Sequence, residues 1–223
     1  MEHTYRVIDE ALNALHAEVA AMGELAVAQL SGAVDAFLRH DRDAAARIAS
    51  GDPRLDEMDA GIERRAVRFI ALHQPMADDL RAPIAAMKTA MNLERCGDLA
   101  KNIAKRTPQL SGAPDAEIAR GVGELGALVA RRLGEVVAAY KASDADAAKD
   151  VWEKDTEIDE LHEKVFRQIL EEMSGHPSLI EASTHLLFIT KNLERIGDHA
   201  TNIAELVCYE ATGGELSDRP KAS

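Results

Sequence analysis

Residues 92–104 read NLERCGDLAKNIA, and residues 192–204 read NLERIGDHATNIA. Ten of the 13 aligned positions carry the same amino acid, an agreement that chance does not supply within one chain. Self-similarity at a fixed spacing is the sequence signature of a repeated structural unit. The two segments therefore predict that the chain contains two copies of one unit.

The repeat extends upstream of these two segments. Four aspartates of the first half align, without a gap, with four aspartates of the second half. The aligned pairs are Asp41 with Asp144, Asp43 with Asp146, Asp52 with Asp155, and Asp56 with Asp159. We therefore expect a first repeat over residues 1–108, a second repeat over residues 115–211 and a flexible tail over residues 212–223.

Proline, glycine and serine punctuation predicts three helices in each repeat. Pro83 is expected to kink or delay the start of the third helix. Apolar residues at spacings of three and four in the last helix are typical of coiled-coil-like packing, and short loops make the helices antiparallel neighbours. The predicted fold class is all-α, with two pseudo-symmetric antiparallel three-helix bundles. The predicted helices cover residues 4–40, a segment ending near residue 73, 77–107, 115–142, 144–174 and 178–211.

Composition narrows the classes of function. The 223 residues carry a net charge of −13, which repels nucleic-acid backbones and anionic lipid. No stretch is apolar for the ~18 residues that a membrane span requires. The two cysteines, Cys96 and Cys208, fall at different places in the repeat and do not indicate a disulfide framework, so we expect a cytoplasmic protein.

Acidic side chains recur at a helical spacing in both repeats. Glu94 and Asp98 are four residues apart, as are Glu194 and Asp198, so each pair lies on one helix face. Like charges at this spacing destabilise a helix by roughly 0.2–0.5 kcal/mol per pair. The azimuth of these residues predicts that they point outward from the bundle core. We therefore expect a positive group to neutralise them.

The preceding helix of each repeat offers a second pair of carboxylates. Asp155 and Asp159 flank the apolar stripe of that helix, and Asp52 and Asp56 are their counterparts in the first repeat. Four carboxylates from two helices could hold one or more hard cations, because such ions prefer carboxylate oxygens. The same acids are also consistent with a solvated acidic face that binds no ligand, or with a face on which a basic partner surface docks.

The doubled NLER-x-GD-x-x-x-NIA segments, the upstream D-x-x-x-D pairs and the two-fold helical plan resemble the PhoU family over essentially the whole chain. The resemblance implies a cytoplasmic, often dimeric, negative regulator of the phosphate-starvation response. It further implies an adaptor between the ATPase subunit of the phosphate ABC transporter and a membrane sensor histidine kinase. Contact with the membrane would be indirect, through these partners.

The resemblance also implies metal clusters on the protein surface. Iron, manganese, magnesium and zinc, as divalent or trivalent ions, all remain candidates, because carboxylate ligands discriminate poorly among them. The ligands implied by motif match are Glu94, Asp98, Glu194, Asp198, Asp155, Asp159, Asp56 and Asp52. Asp52 departs from the pattern, because it precedes Pro53 and could cap a helix instead.

Several residues near the motif have structural interpretations. Gly97 and Gly197 lie within predicted helices and predict the close approach of another helix. Cys96 aligns with an apolar isoleucine and is interpreted as a buried side chain. His162 and His199 have no histidine counterpart in the first repeat and are interpreted as surface residues, with metal ligation as the less favoured alternative.

Three functions are consistent with the pattern to different degrees. A non-enzymatic signalling adaptor is favoured, because no phosphate-binding loop or nucleophile motif is present. A metal-free scaffold that docks a basic surface is the main alternative. A di-iron carboxylate oxidoreductase is disfavoured, because that class uses inward-pointing Glu-x-x-His motifs, which this sequence lacks.

Overall fold

The computed structural model describes residues 2–50, 53–110, 115–214 and 216. Within these ranges the secondary structure is helical, without a strand. Three short 3₁₀ turns, at residues 77–80, 107–109 and 177–179, connect the longer helices. The α-helices are α1 (Glu2–Leu38), α2 (Arg42–Ala49), α3 (Arg54–His73), α4 (Arg81–Arg106), α5 (Ala116–Ala142), α6 (Ala145–Glu153), α7 (Thr156–Gly175) and α8 (Ile180–Thr212).

Helices α1–α4 form the first half of the molecule and α5–α8 repeat the same plan. Equivalent aspartates begin α2 and α6: Asp41 accepts a hydrogen bond from the Ala44 amide (2.8 Å), and Asp144 accepts one from the Ala147 amide (2.9 Å). The predicted all-helical, pseudo-symmetric fold is therefore confirmed. As expected, Pro83 lies in the first turn of a helix whose start is delayed by a 3₁₀ turn.

The second predicted helix of each half consists of two segments, which are α2 and α3 in the first half and α6 and α7 in the second. The prediction of one continuous helix over residues 144–174 is therefore wrong. In the second half the break lies at Lys154 and Asp155, with neither glycine nor proline to cause it. Packing against α8 accounts for it. Trp152 donates a hydrogen bond to Glu205 (3.0 Å) on α8, and the buried Asp155 accepts one from Thr201 (2.8 Å) on the same helix.

The two halves are joined by two pairs of helices, one of them α1 with α5. Gly23 lies against Val137, and Gly126 lies against Val34, which are equivalent positions in the repeat. A Cβ atom built on Gly126 would lie 2.7 Å from both methyl groups of Val34. Each glycine thus accommodates a valine of the other half, and this reciprocal contact fixes how the halves pack.

The other pair is α4 with α8, which pack side by side. Asn92 contacts His199 (2.9 Å), and Arg106 contacts His185 (3.3 Å), so the two helices are antiparallel. The buried residues of both halves form one continuous apolar core, which includes Cys96 as predicted. No helix in the described ranges has both the length and the apolar character needed to cross a membrane.

Two alanine substitutions in α5 test the reciprocal glycine contact. Gly126→Ala should lower the free energy of unfolding by about 1–3 kcal/mol, because the new methyl group overlaps the stiff, β-branched Val34. Gly134→Ala, in the same helix, meets no atom within 4 Å and should raise the free energy of unfolding by about 0.5–1 kcal/mol. Urea denaturation measures both, and equal effects would show that the contact at Gly126 is not tight.

Candidate metal-binding crevices

Glycine lets α3 approach α4 closely in the first half, and lets α7 approach α8 closely in the second half. A Cβ atom on Gly197 would lie 2.9 Å from the Cδ1 of Ile158, and one on Gly97 would lie 2.3 Å from the Cδ1 of Leu55. Ile158 and Leu55 occupy equivalent positions in α7 and α3. The predicted close approach at both glycines is confirmed, and it creates a narrow crevice in each half.

The crevice of the second half gathers the four carboxylates that the sequence pattern predicted there. Burial is the largest cause of the raised pKa of Asp198, which is about 6, and the negative charges of Glu194, Asp155 and Asp159 also contribute. Lys191 acts in the opposite direction but does not offset the burial and the repulsion. Carboxylates of α7 and α8 therefore converge, and we call this group the second-half acidic cluster.

Hydrogen bonds and ion pairs restrain part of the second-half acidic cluster. Asp155 is only 8 % exposed and accepts the hydrogen bond from Thr201 described above. Lys191 forms an ion pair with Glu194 (2.7 Å), whose side chain is 15 % exposed. The expectation that these acids point outward is therefore wrong in part, because they face the neighbouring helix and stand half-buried in the crevice.

The first half contains a corresponding acidic cluster. Burial raises the pKa of Glu94, and the charges of Asp98 and Asp56 raise it further, against a lowering by Arg95. Arg95 lies 3.5 Å from Glu94. Asp52, the eighth predicted ligand, lies outside the described residues. Seven of the eight predicted ligands thus fall into two clusters, one in each half.

Asp59 belongs to the first-half cluster, although the sequence pattern did not single it out. Burial raises its pKa, and the charges of Glu63 and Asp56 contribute. It lies one helical turn after Asp56 on α3, at the position that His162 occupies in the second half. This i, i+3 spacing was the signal that could have identified it.

The interpretation of the two histidines as surface residues is wrong. His162 is half-buried between the acidic residues of α7 and α8, and burial lowers its pKa despite the nearby charge of Glu194. Its Nε2 atom is buried without a hydrogen-bond partner in the described structure. His199 is also half-buried, and it bonds to Asn92 across the two halves.

The side chains fit a cation by chemistry but do not yet form a coordination shell. In the described part of the chain, no group of three or more Asp, Glu, His or Cys side chains is arranged to hold a metal ion. The donors are nevertheless carboxylate oxygens, which hard cations prefer, and mutual repulsion adds to burial in raising the pKa values of Asp198 and Glu94. A bound cation would require rotation of the half-exposed side chains, chiefly Glu194 and Asp198.

The chain is similar in sequence to known proteins. The model of the PhoU domain matches residues 19–107 and again residues 122–207. A phosphate-specific transport system accessory protein PhoU homolog from Caulobacter vibrioides is 50% identical over 99% of this chain and 96% of its own length. A homolog of the same name from Rhizobium meliloti is 40% identical over 98% of this chain and 93% of its own length.

Two solved structures have the same fold as this chain. The phosphate transport system regulatory protein PhoU from Streptococcus pneumoniae superimposes with a TM-score of 0.88 at 30% identity, covering 94% of this chain and 99% of that one. PhoU from Pseudomonas aeruginosa gives 0.86 at 32% identity, covering 92% and 99%. Fold and relatives together define a class of accessory, regulatory proteins rather than enzymes, as predicted. The chain belongs to the PhoU family.

Repulsion within the second-half acidic cluster predicts a pH-dependent stability of the metal-free protein. The pKa of Asp198 is raised from 3.8 to about 6, so ionised Asp198 destabilises the folded state. The cost is absent below pH 3.8, grows between pH 3.8 and about 6, and is constant at higher pH. Asp198→Asn should therefore stabilise the chelator-treated protein at pH 8 by roughly 1 kcal/mol, allowing for solvent screening.

The gain from Asp198→Asn should shrink towards about pH 4, where the wild-type carboxyl is neutral in the folded state. Thermal unfolding across this pH range measures it. Glu160→Gln, which removes an exposed acid of α7, serves as the control and should show no such trend. Parallel pH profiles of wild type and Asp198→Asn would contradict the repulsion.

Proposed function

We propose that the protein is a negative regulator of phosphate uptake and of the phosphate-starvation response. In this role it is an adaptor between the ATPase subunit of the phosphate ABC transporter and a membrane sensor histidine kinase. The observation that carries the proposal is the match to phosphate-transport accessory proteins over nearly the full chain, at up to 50% identity. A homodimer in the cytoplasm that reaches the membrane only through its partners is part of the proposal.

The two acidic clusters supply the metal-binding part of the proposal. In the second half, Glu194 and Asp198 of α8 would bind the cation together with Asp155 and Asp159 of α7. In the first half, Glu94, Asp98 and Asp56 would do so, with Asp52 as a further candidate. A bound cation would offset the repulsion that, together with burial, raises the pKa values of Glu94 and Asp198.

The protein's own residues would position the cation. Thr201 donates a hydrogen bond to one oxygen of Asp155 and so fixes the orientation of that carboxylate in the crevice. Lys191 neutralises Glu194 through the ion pair and would have to release it when a cation binds. Cation binding therefore exchanges one positive group for another and would tie α7 to α8.

Deleting the protein tests the regulatory role. Strains that lack it should express phosphate-responsive genes even when phosphate is plentiful, because the negative signal is lost. A reporter driven by a phosphate-responsive promoter measures this, with the wild-type gene restored as the control. Normal repression in the deletion strain would contradict the proposed function.

Metal content tests the acidic clusters. Glu194→Ala/Asp198→Ala should lose about half of the metal bound per chain after mild purification, because it removes one of two clusters. Elemental analysis of the folded protein measures the change. Asp146→Ala/Glu160→Ala removes the same residue types from exposed positions outside the crevices and should retain the wild-type content.

Equal metal content in both double variants would favour the metal-free scaffold. In that case the acidic clusters would instead serve as a docking surface for basic side chains. The half-buried position of Glu194 favours a small ion over a protein surface, because the crevice leaves only 15 % of that side chain exposed.

A further inference from the structure

The exposed side of the α4–α8 pair forms a second feature, separate from the acidic crevices. A row of residues seven apart on α4 begins at Lys88. It faces a row of residues seven apart on α8, which ends at Asn202. Along α4 the row contains Lys88, Arg95 and Asn102, followed by Arg106, and along α8 it contains Phe188, Arg195 and Asn202. We call the channel between these rows the seam groove; from residue 88 to residue 106 it spans about 27 Å.

The seam groove is basic although the whole chain has a net charge of −13. Between residues 88 and 105 of α4, and between residues 188 and 202 of α8, every exposed side chain is cationic, an amide or apolar. The acidic residues of these two stretches are half-buried and turned towards α3 or α7. The groove therefore concentrates positive charge at the centre of an acidic protein.

Internal contacts leave part of this positive charge unneutralised. Lys88 and Arg195 form no ion pair with any described residue. Asn92 donates from Nδ2 to the carbonyl of Lys88 (2.8 Å), so its Oδ1 accepts from Nδ1 of His199. The pKa of His199 is lowered by burial and then by the charges of Arg195 and Arg95, so both arginines act on the groove.

Apolar side chains line the groove below the charges. At one end a cavity of about 850 Å³ is lined by Met91, Leu206, Tyr209 and Leu216 in addition to the polar residues. At the other end Phe188 is 48% exposed and lies under the guanidinium of Arg106, 3.9 Å from the ring centroid. Glu205, the one acid in the cavity wall among the described residues, accepts the hydrogen bond of Trp152.

We propose that the seam groove docks an amphipathic acidic helix of a protein partner. A helix of about 18 residues matches the length of the groove. Its apolar stripe would contact Met91 and Leu206, and flanking carboxylates would meet Lys88 and Arg195. The proposal identifies one partner contact of the proposed adaptor, and it does not depend on whether the acidic clusters bind metal.

Two other occupants are disfavoured by shape and charge. A second copy packed on this face about a two-fold axis would bring the Arg95–Arg195 pair against its own equivalent, which is repulsive. An anionic membrane would require a convex apolar surface, whereas Met91 and Leu206 line a cavity and Arg106 lies over the Phe188 ring.

A fluorescein-labelled amphipathic peptide of about 18 residues, with leucines on one face and glutamates on the flanks, tests the proposal. Fluorescence anisotropy with the full-length protein should show binding that weakens as salt increases. Lys88→Gln/Arg195→Gln should weaken binding about tenfold. The matched control, Arg68→Gln/Lys164→Gln, removes the same charges from exposed sites on α3 and α7 and should bind as the wild type does.

Equal affinities of the two double variants, with unchanged thermal stability, would overturn the proposal. It would also be overturned if the peptide did not bind while vesicles of phosphatidylcholine and phosphatidylglycerol did. The reporter assay distinguishes failure of this proposal from failure of the proposed regulatory role. Normal repression in the deletion strain would contradict the regulatory role and would leave the peptide-binding result unchanged. If both hold, Lys88→Gln/Arg195→Gln should relieve repression in cells without changing the metal content of the protein.

Discussion

Close packing at glycine positions that occur in both halves is the constraint on which the structure depends. Gly97 lets α3 pack against α4, and Gly197 lets α7 pack against α8. Gly23 and Gly126 let the two halves pack against each other. In each case an apolar side chain occupies the space that a Cβ atom would need. The backbone separation at these four points fixes where the carboxylates and the cations of the molecule lie.

Acidic and basic side chains occupy neighbouring faces of the same two helices. On α4, Glu94 and Asp98 turn towards α3, whereas Lys88 and Arg95 lie on the seam groove. The equivalent separation on α8 sets Asp198 apart from Arg195. Residues three or four apart lie on one face of a helix, whereas adjacent residues do not. The sign of the surface charge can therefore differ between residues that are adjacent in the sequence. One pair of helices thus presents acidic side chains on one face and cationic side chains on the next.

The sequence predicted the duplication, the helical fold and seven described members of the acidic clusters, because each is encoded in spacing within one helix. It did not predict the break at Lys154 and Asp155, which depends on contacts with Glu205 and Thr201, nor the partial burial of Glu194. Asp59 was missed because its counterpart is His162, so the repeat did not mark it. Contacts between helices distant in the chain decide these features, and periodicity within a helix does not report them.

The reciprocal contact of Gly23 with Val137 and of Gly126 with Val34 also bears on how such a chain could arise. A polypeptide with a single repeat would expose the same glycine and valine and could bury them only against a second identical molecule. The contact would then be an isologous dimer interface with the same geometry. Gene fusion would convert that intermolecular axis into an internal one, after which each half is free to diverge, as Asp59 and His162 already have.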